Sequence, residues 1–381
     1  MNKSKSNAPD YHILISVVCL IILGIILVYT SSYPYSYRLE GGKYGGVYFL
    51  TRHLVFVLAG AILSLFAYRI DYKKYDSKFF IGLMIISSIV LVLLLKFTSL
   101  GTDFGKGSRR WINVGGFSFM PSDIIKVAAV FCMASYMSKI NLRRRNFQNI
   151  VLVPAAIILF FTFLIYIQKD LGTAVTVAGA LSIMYFIGGA PLTVIPPAIG
   201  AAVLGIYLAI YRNEYRRNRF FAYKDPIKNI RDTGWQPAQS LFAYANGGLS
   251  GVGIGHSTQK FFYIPEVYND YILAVCGEEL GFLGMICIVA LFSVIIIKGY
   301  LTAARAKDRY GLMLASGISS LIAIQFWINA AVSVNLVPSK GITLPFISYG
   351  GTSLIIYMIL TAVLLNISKS ANSEVKSCDL S

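Results

Sequence analysis

The chain reads as an all-α, polytopic integral membrane protein, and three observations support that reading. Its 381 residues are 56% hydrophobic and 13% charged, with a mean hydropathy of +0.66, which is more apolar than a compact soluble domain needs to be. About ten apolar stretches are each long enough to cross ~30 Å of hydrocarbon as a helix. Lys and Arg collect in alternate short loops, the pattern of a cytoplasmic face.

The predicted spans lie near 13–32, 50–69, 79–98, 121–138, 148–167, 171–188, 191–211, 268–297, 310–334 and 346–367. The first is too long for a secretory signal core and lacks a convincing small-residue cleavage site, so it reads as an uncleaved span. Lys3 and Lys5, Arg69 to Lys78, Lys139 with Arg143, Arg144 and Arg145, Lys298 to Arg309, and Lys369 with Lys376 all fall on one side. Both termini, 1–12 and 368–381, are therefore expected inside, flanking a membrane domain over 13–367. The Arg143–Arg145 run reads as topogenic rather than as a binding site.

The loop after span seven, about 212–267, is outside on this topology yet carries Arg212, Arg216, Arg217, Arg219, Lys224, Lys228, Arg231 and Lys260. Long loops escape the charge rule, and an outer basic surface attracts anionic headgroups or phosphorylated lipid. Nucleic acid is a poor candidate for a partner on that side even at a net charge of +17, and none is expected. The cysteines lie in predicted spans or in the inner tail, so no disulfide is expected. His12, His53 and His256 form no metal constellation with them.

Chemistry-bearing residues concentrate on the predicted outer side. Arg109 and Arg110 precede Trp111, an aromatic suited to the interface. Pro121, Ser122 and Asp123 read as a helix start, and Lys126 lies three residues beyond Asp123 on the same face. That pair is either a capped helix with a salt bridge or part of a site, since intramembrane charges lean functional. Asp170, in the turn between spans five and six, either caps the sixth helix or binds. Gly251, Gly253 and Gly255 make no dinucleotide fingerprint, which needs a βαβ unit; they read as a close-approach backbone with amides available to an anion.

Span eight opens with three carboxylates, Asp270, Glu278 and Glu279. An ionised side chain at the bilayer centre costs roughly 2.5–3.5 kcal/mol on insertion scales, so each needs a polar partner or cavity. A continuous helix from Asp270 to Ile297 would be ~42 Å long and reach the outer interface, with Glu278 ~12 Å deeper and Glu279 about 180° round from Asp270. Asp270 would then sit where a general base is tuned by desolvation and nearby cations, while Glu279 would pair with a neighbouring span. Stabilisation by the helix dipole explains Asp270 alone. The last outer segment, 337–353, is rich in Pro, Gly and hydroxyls, and non-helical backbone at such depth must line a cavity or be covered. Lys340 is either a loop lysine or a phosphate contact.

In order along the chain, Arg110-Trp-Ile, Pro121-Ser-Asp-Ile-Ile-Lys126, Asp170-Leu-Gly-Thr173, Gly247-Gly-Leu, Gln259-Lys, Pro265-Glu, Asp270, Glu278-Glu-Leu-Gly-Phe282 and Leu344-Pro-Phe-Ile-Ser-Tyr-Gly-Gly351 resemble the SEDS family (shape, elongation, division and sporulation). Lys340-Gly-Ile-Thr-Leu-Pro345 looks like the FtsW and SpoVE branch rather than RodA, which usually has Thr-Gly-Ile-Pro-Leu-Pro there. The chain departs from the family at Met120 and Asp123, where Gln and Glu are usual, at Lys169 for a common Pro, at Tyr268-Asn269 before the aspartate, and at Tyr271 for Phe.

The resemblance implies a peptidoglycan glycosyltransferase that polymerises lipid II into β-1,4-linked glycan strands at the outer face of the bacterial plasma membrane and releases undecaprenyl pyrophosphate. It implies Asp270 as the catalytic base and Arg110, Asp123, Lys126, Asp170, Lys260, Glu278, Lys340 and Ser348 as substrate-binding candidates. No organic cofactor is expected, and an Mg²⁺ or Mn²⁺ requirement is compatible with the acidic positions. The implied partners are lipid II, a lipid-linked glycan, a class B penicillin-binding protein and other division or sporulation membrane proteins. Two rival readings remain at this point: a lipid II flippase, weakened by the absence of matching broken helices, and a scaffold for which Asp270 would be dispensable.

Overall fold

In the computed structural model, the described residues are 8–39, 45–102, 109–115, 117–140, 147–212, 217, 220, 221, 223–231 and 234–372. Arg143, Arg144, Arg145, Arg216, Arg219 and the outermost parts of both tails lie outside them. Helices form at all ten predicted spans: α1 Tyr11–Leu39, α2 Tyr48–Arg69, α3 Lys78–Phe97, α4 Pro121–Lys139, α5 Val153–Ile167, α6 Leu171–Ile187, α7 Ile195–Tyr211, α9 Ile272–Ala304, α10 Arg309–Ser333 and α11 Gly351–Asn372. A further helix, α8 Trp235–Gly247, lies in the long loop. A turn of π-helix, Gln148–Leu152, leads into α5.

Seven of these spans are both long and apolar enough to cross a membrane on length and composition alone. At 17 residues, α6 and α7 reach ~26 Å, the lower limit of a span, and α4 carries Asp123 and Lys126 within its apolar run. The protein is a multi-pass membrane protein. Side-chain caps start several helices: Ser77 Oγ accepts from Phe80 N at 3.2 Å, Asp170 Oδ1 from Thr173 N at 3.2 Å and Asp308 Oδ1 from Gly311 N at 2.8 Å, each satisfying an amide that the first helical turn leaves open.

Helices α10 and α11 form the centre. Of their apolar windows 72% is buried, against 17% in α2 and α3, which face outward. Small residues let backbones close on α10, as membrane helix packing requires: a Cβ at Gly317 would meet Met184 Sδ at 2.6 Å, and one at Gly299 would meet Ser319 Oγ at 2.2 Å. The two termini meet at one end of the bundle, where Ser368 Oγ accepts from Asp10 N at 3.0 Å and Asn372 Nδ2 donates to Ala8 O at 3.2 Å. The opposite, distal end carries a small antiparallel sheet of β1 Gly101–Thr102, β2 Trp111–Val114 and β3 Phe117–Phe119, registered through Gly101 with Ile112 and Ile112 with Phe119. The long loop and the irregular chain between α10 and α11 lie at this end as well.

The expected continuous helix through the eighth span does not form. Asp270 precedes the first helical residue, Ile272, and α9 breaks at Gly281, whose φ of 65° and ψ of −167° are non-helical. The glycine-rich stretch after α8 fills the break: Val252 N donates to Glu278 O at 3.0 Å, Gly253 N to Glu279 O at 3.1 Å, Phe282 N to Gly248 O at 3.0 Å and Leu283 N to Leu249 O at 3.1 Å. In the glycine run expected to offer amides to an anion, those of Val252 and Gly253 instead satisfy α9 carbonyls at the break and that of Gly251 donates to Gly247 O at 2.8 Å. The approach is too close for any side chain, since a Cβ at Gly251 would lie 2.2 Å from Glu279 O and one at Gly247 1.9 Å from Gly277 O.

Gly281→Ala would place its methyl 2.2 Å from Gly251 N in a left-handed backbone that itself costs an L-residue ~1–3 kcal/mol. The expected outcome is a clear fall in melting temperature in detergent, read by tryptophan fluorescence, whereas Gly82→Ala, with open space around its Cα, leaves it unchanged.

Candidate active site

Asp270 is half-buried at the distal end, in the irregular chain leading into α9. Its backbone carbonyl accepts from Asn329 Nδ2 on α10 at 3.1 Å, and the same nitrogen donates to Ile342 O at 2.6 Å. The carboxylate therefore lies beside the 340–345 chain: a Cβ at Gly341 would fall 2.9 Å from Asp270 Oδ2, and only glycine leaves that space open. Tyr349 N donates to Tyr268 O at 3.0 Å, tying the chain just before Asp270 to the stretch that enters α11. The ring of Tyr268 packs against Tyr35, Phe49 and Tyr349 with centroids 5.5, 4.5 and 5.8 Å away.

Two predicted cations stand close to the start of α6. Arg110 Nη2 donates to Lys169 O at 2.6 Å while its Nε has no hydrogen-bond partner. Lys340 packs against the same helix start, with its Cβ 3.6 Å from a Cβ built at Gly172. Arg110 and Lys340 thus share the start of α6, and Lys340 precedes Gly341, beside which the Asp270 carboxylate lies.

The remaining candidates are committed inside the protein. Lys126, 1% exposed, pairs with Asp123 Oδ1 at 2.7 Å, lies 4.5 Å from the Tyr357 ring centroid and donates to Gln325 Oε1 at 3.4 Å. Asp170, 2% exposed, accepts from Ser122 Oγ at 3.1 Å while capping α6. For the Asp123–Lys126 pair the salt-bridge alternative describes the contact. Ser348 Oγ accepts from Leu344 N at 2.8 Å, closing a turn in the irregular chain.

Glu278 and Glu279 occupy the last turn before the helix break and have separate partners. Glu278 accepts from Asn246 Nδ2 at 3.2 Å, Thr258 N at 3.2 Å, Thr258 Oγ1 at 2.8 Å, Gln259 N at 3.2 Å and the Ser257 hydroxyl, so both carboxylate oxygens are engaged by the long loop. Glu279 accepts from Lys260 Nζ at 3.1 Å and from Thr30 Oγ1 on α1 at 3.1 Å. The expected partner from a neighbouring span is there, and a lysine from the loop joins it. Lys260 also donates to Gly255 O at 2.5 Å.

Sequence reasoning missed Gln325, Asn329 and Gly341. Two amides four residues apart within an apolar span share one helix face, and that spacing was the available signal for the first two. Among the described residues no group of three or more His, Cys, Asp or Glu is placed to hold a metal ion.

The fold and this distal arrangement define a polytopic membrane protein with an acid and basic side chains gathered at one end of its helical bundle. The chain belongs to the family of FtsW, RodA and SpoVE, whose description is "Cell cycle protein" and which matches residues 11–373. It is similar to the probable peptidoglycan glycosyltransferase FtsW of Geobacter metallireducens, at 35% identity over 97% of this chain and 96% of that protein, and to stage V sporulation protein E of Bacillus subtilis, at 39% identity over 96% and 98%. In fold it is similar to a peptidoglycan synthase complex solved to describe the coordination of polymerization and crosslinking, with a TM-score of 0.74 at 21% identity over 96% of this chain and 98% of that one. The rod shape determining protein RodA of Thermus thermophilus matches with a TM-score of 0.66 at 20% identity over 95% and 97%.

Lys260→Met leaves Glu279 buried without its cation, and breaking a buried pair costs ~3–5 kcal/mol. Melting curves are expected to show a large loss for Lys260→Met, and a smaller one for Lys260→Met combined with Glu279→Gln than for the sum of the two single changes.

Proposed function

We propose that the chain is a peptidoglycan glycosyltransferase that polymerises lipid II at the outer face of the plasma membrane, with the distal end of the bundle outside and both termini in the cytoplasm. The observation that carries this reading is the arrangement at Asp270: a half-buried carboxylate beside Gly341, at the end of the bundle where Arg110 and Lys340 meet the start of α6. Asp123, Asp170, Glu278 and Glu279 are held by other side chains or the loop, at 7%, 2%, 1% and 1% exposure, whereas Asp270 is only half-buried. The names of the FtsW and SpoVE relatives and the alternate-loop charge pattern support it further.

Asp270 takes the proton from the acceptor sugar's 4-hydroxyl as that oxygen forms its bond to the anomeric carbon of the lipid-linked donor. The bond from that carbon to the pyrophosphate oxygen breaks on the opposite face, so an α-linked donor becomes a β-1,4 glycoside and undecaprenyl pyrophosphate leaves. A positioned base of this kind contributes about 10²–10⁴-fold. Arg110 and Lys340 meet the negative charge that develops on the leaving pyrophosphate, where fixed cations act most strongly in a water-poor site. Asp123, Lys126, Asp170, Lys260, Glu278 and Ser348 hold the walls rather than the substrate.

Among the described residues no three acidic, His or Cys side chains are grouped to hold Mg²⁺ or Mn²⁺; Asp123 is paired to Lys126 and Asp170 accepts from Ser122 and Thr173. A divalent cation would enter with the substrate's pyrophosphate. The reading includes a class B penicillin-binding protein as partner and a place in septal synthesis, in division or sporulation.

The test supplies lipid II to the purified protein with its transpeptidase partner and resolves glycan length on gels. Asp270→Asn is expected to lower polymer yield by about 100-fold or more with an unchanged melting temperature. Full yield from the variant would remove Asp270 as the base, and lipid II flipping without polymer would favour transport. Gly341→Ala, which puts a methyl against Asp270 Oδ2, is expected to depress the same yield while the protein still binds its partner. EDTA is expected to slow polymerisation without lowering the melting temperature; a fall in melting temperature would point to an ion held by the protein itself.

A further inference from the structure

We infer that Asn329, supported by Gln325, is a positioning residue that sets the separation between Asp270 and the Lys340–Gly341 chain. The inference rests on the reading of Asp270 as the base. Both amides lie on one face of α10, four residues and thus ~6 Å of helix rise apart, and they are 1% and 3% exposed. Asn329 Nδ2 spends both of its hydrogens on carbonyls of two different irregular segments, Asp270 O at 3.1 Å and Ile342 O at 2.6 Å. An amide nitrogen has two N–H donors and no more, so this one atom indexes both segments to the same point of the central helix.

Gln325 continues the arrangement one turn away. Its Nε2 donates to Thr343 O at 2.8 Å, next along the chain from Ile342, and its Oε1 accepts from Lys126 Nζ at 3.4 Å and from the Tyr357 hydroxyl. Those two donors fix which way round the amide stands, since an ammonium offers no acceptor. At Asn329 the same choice follows from two facing carbonyls, which only the nitrogen side can serve. The buried Asp123–Lys126 pair is thereby linked through Gln325 to Thr343, two residues from Gly341, against which the Asp270 carboxylate rests. The intramembrane charge pair would then act on the site through the backbone, without touching the substrate.

The consequence is geometric. A base and a cation borne on two irregular segments keep a reacting geometry only if the segments are held to a common frame, and a misplacement of about 1 Å costs on the order of 10²-fold in rate. In the loss of such a frame kcat falls while substrate binding is largely kept.

Two measurements test this. With lipid II and the transpeptidase partner, Asn329→Leu is expected to lower kcat by about tenfold or more with KM changed by less than about twofold, and Asn329→Gln, which keeps a donating amide, to recover part of the loss. Independently of activity, cysteines introduced as Asp270→Cys and Gly341→Cys are expected to form a disulfide on mild oxidation, detected as a cross-linked peptide. The same oxidation in a protein also carrying Asn329→Leu should yield little or none. Asn329→Asp, of nearly the same shape but without donors, gives the same comparison where the leucine variant does not fold. Unchanged kcat in the Asn329 variants, or undiminished cross-linking, overturns the positioning role. Absence of glycan from the unaltered protein would instead overturn the polymerase reading, while the cross-linking still decides whether Asn329 holds the two segments together.

Discussion

Lipid offers a peptide group nothing to bond with, so backbone that leaves the helix inside a membrane protein must be met by other protein. Two such places among the described residues are the break in α9 at Gly281 and the irregular run between α10 and α11, and much of the distal end is organised around them. The first is answered by another backbone, the glycine-rich stretch after α8. The second is answered by side chains, through Gln325, Asn329 and Ser348. Asp270 borders the second, its backbone held by the amide that serves that run.

The buried charges follow from the same economy. Glu278 and Glu279 sit in the turn before the break, and each carboxylate is taken up by the long loop, which is thereby held down by ionic and hydrogen-bonded contacts as well as by its backbone. The Asp123–Lys126 pair is buried too, and is joined to Gln325. Ion pairs that surrender their hydration are weak sources of stability but costly to break. Their effect here is to leave the loop and the irregular run few alternative arrangements, while Asp270 is less buried than either pair.

The ten helices were legible because hydropathy over a span-length window records a single constraint, the thickness of hydrocarbon. The pairing of Asp123 with Lys126 was legible too, as helix spacing places the third residue on the same face. Asp270 emerged as the candidate base from its place in an ordered set of motifs. The break at Gly281 was not legible, because Gly281 lies in a run whose hydropathy is that of an unbroken span and glycine occurs freely in membrane helices. The glycine run after α8 was misread for a related reason: composition shows that a backbone can come close to something, but not to what. Gln325 and Asn329 were missed although their spacing puts two amides on one helix face, because the carbonyls they serve lie in a segment whose path no periodicity describes.

The interlock between the glycine stretch and α9 has a consequence for how this protein can vary. Residues 247 and 251 on one side and 277 and 281 on the other approach within distances that exclude a side chain on either, so neither segment can accept a larger residue unless the other retreats. The loop is therefore not a module that can be exchanged between relatives by itself. The smallest portable unit runs from α8 through the outer half of α9, and a chimaera whose junctions fall inside that unit would have to reconcile two backbones shaped in different proteins.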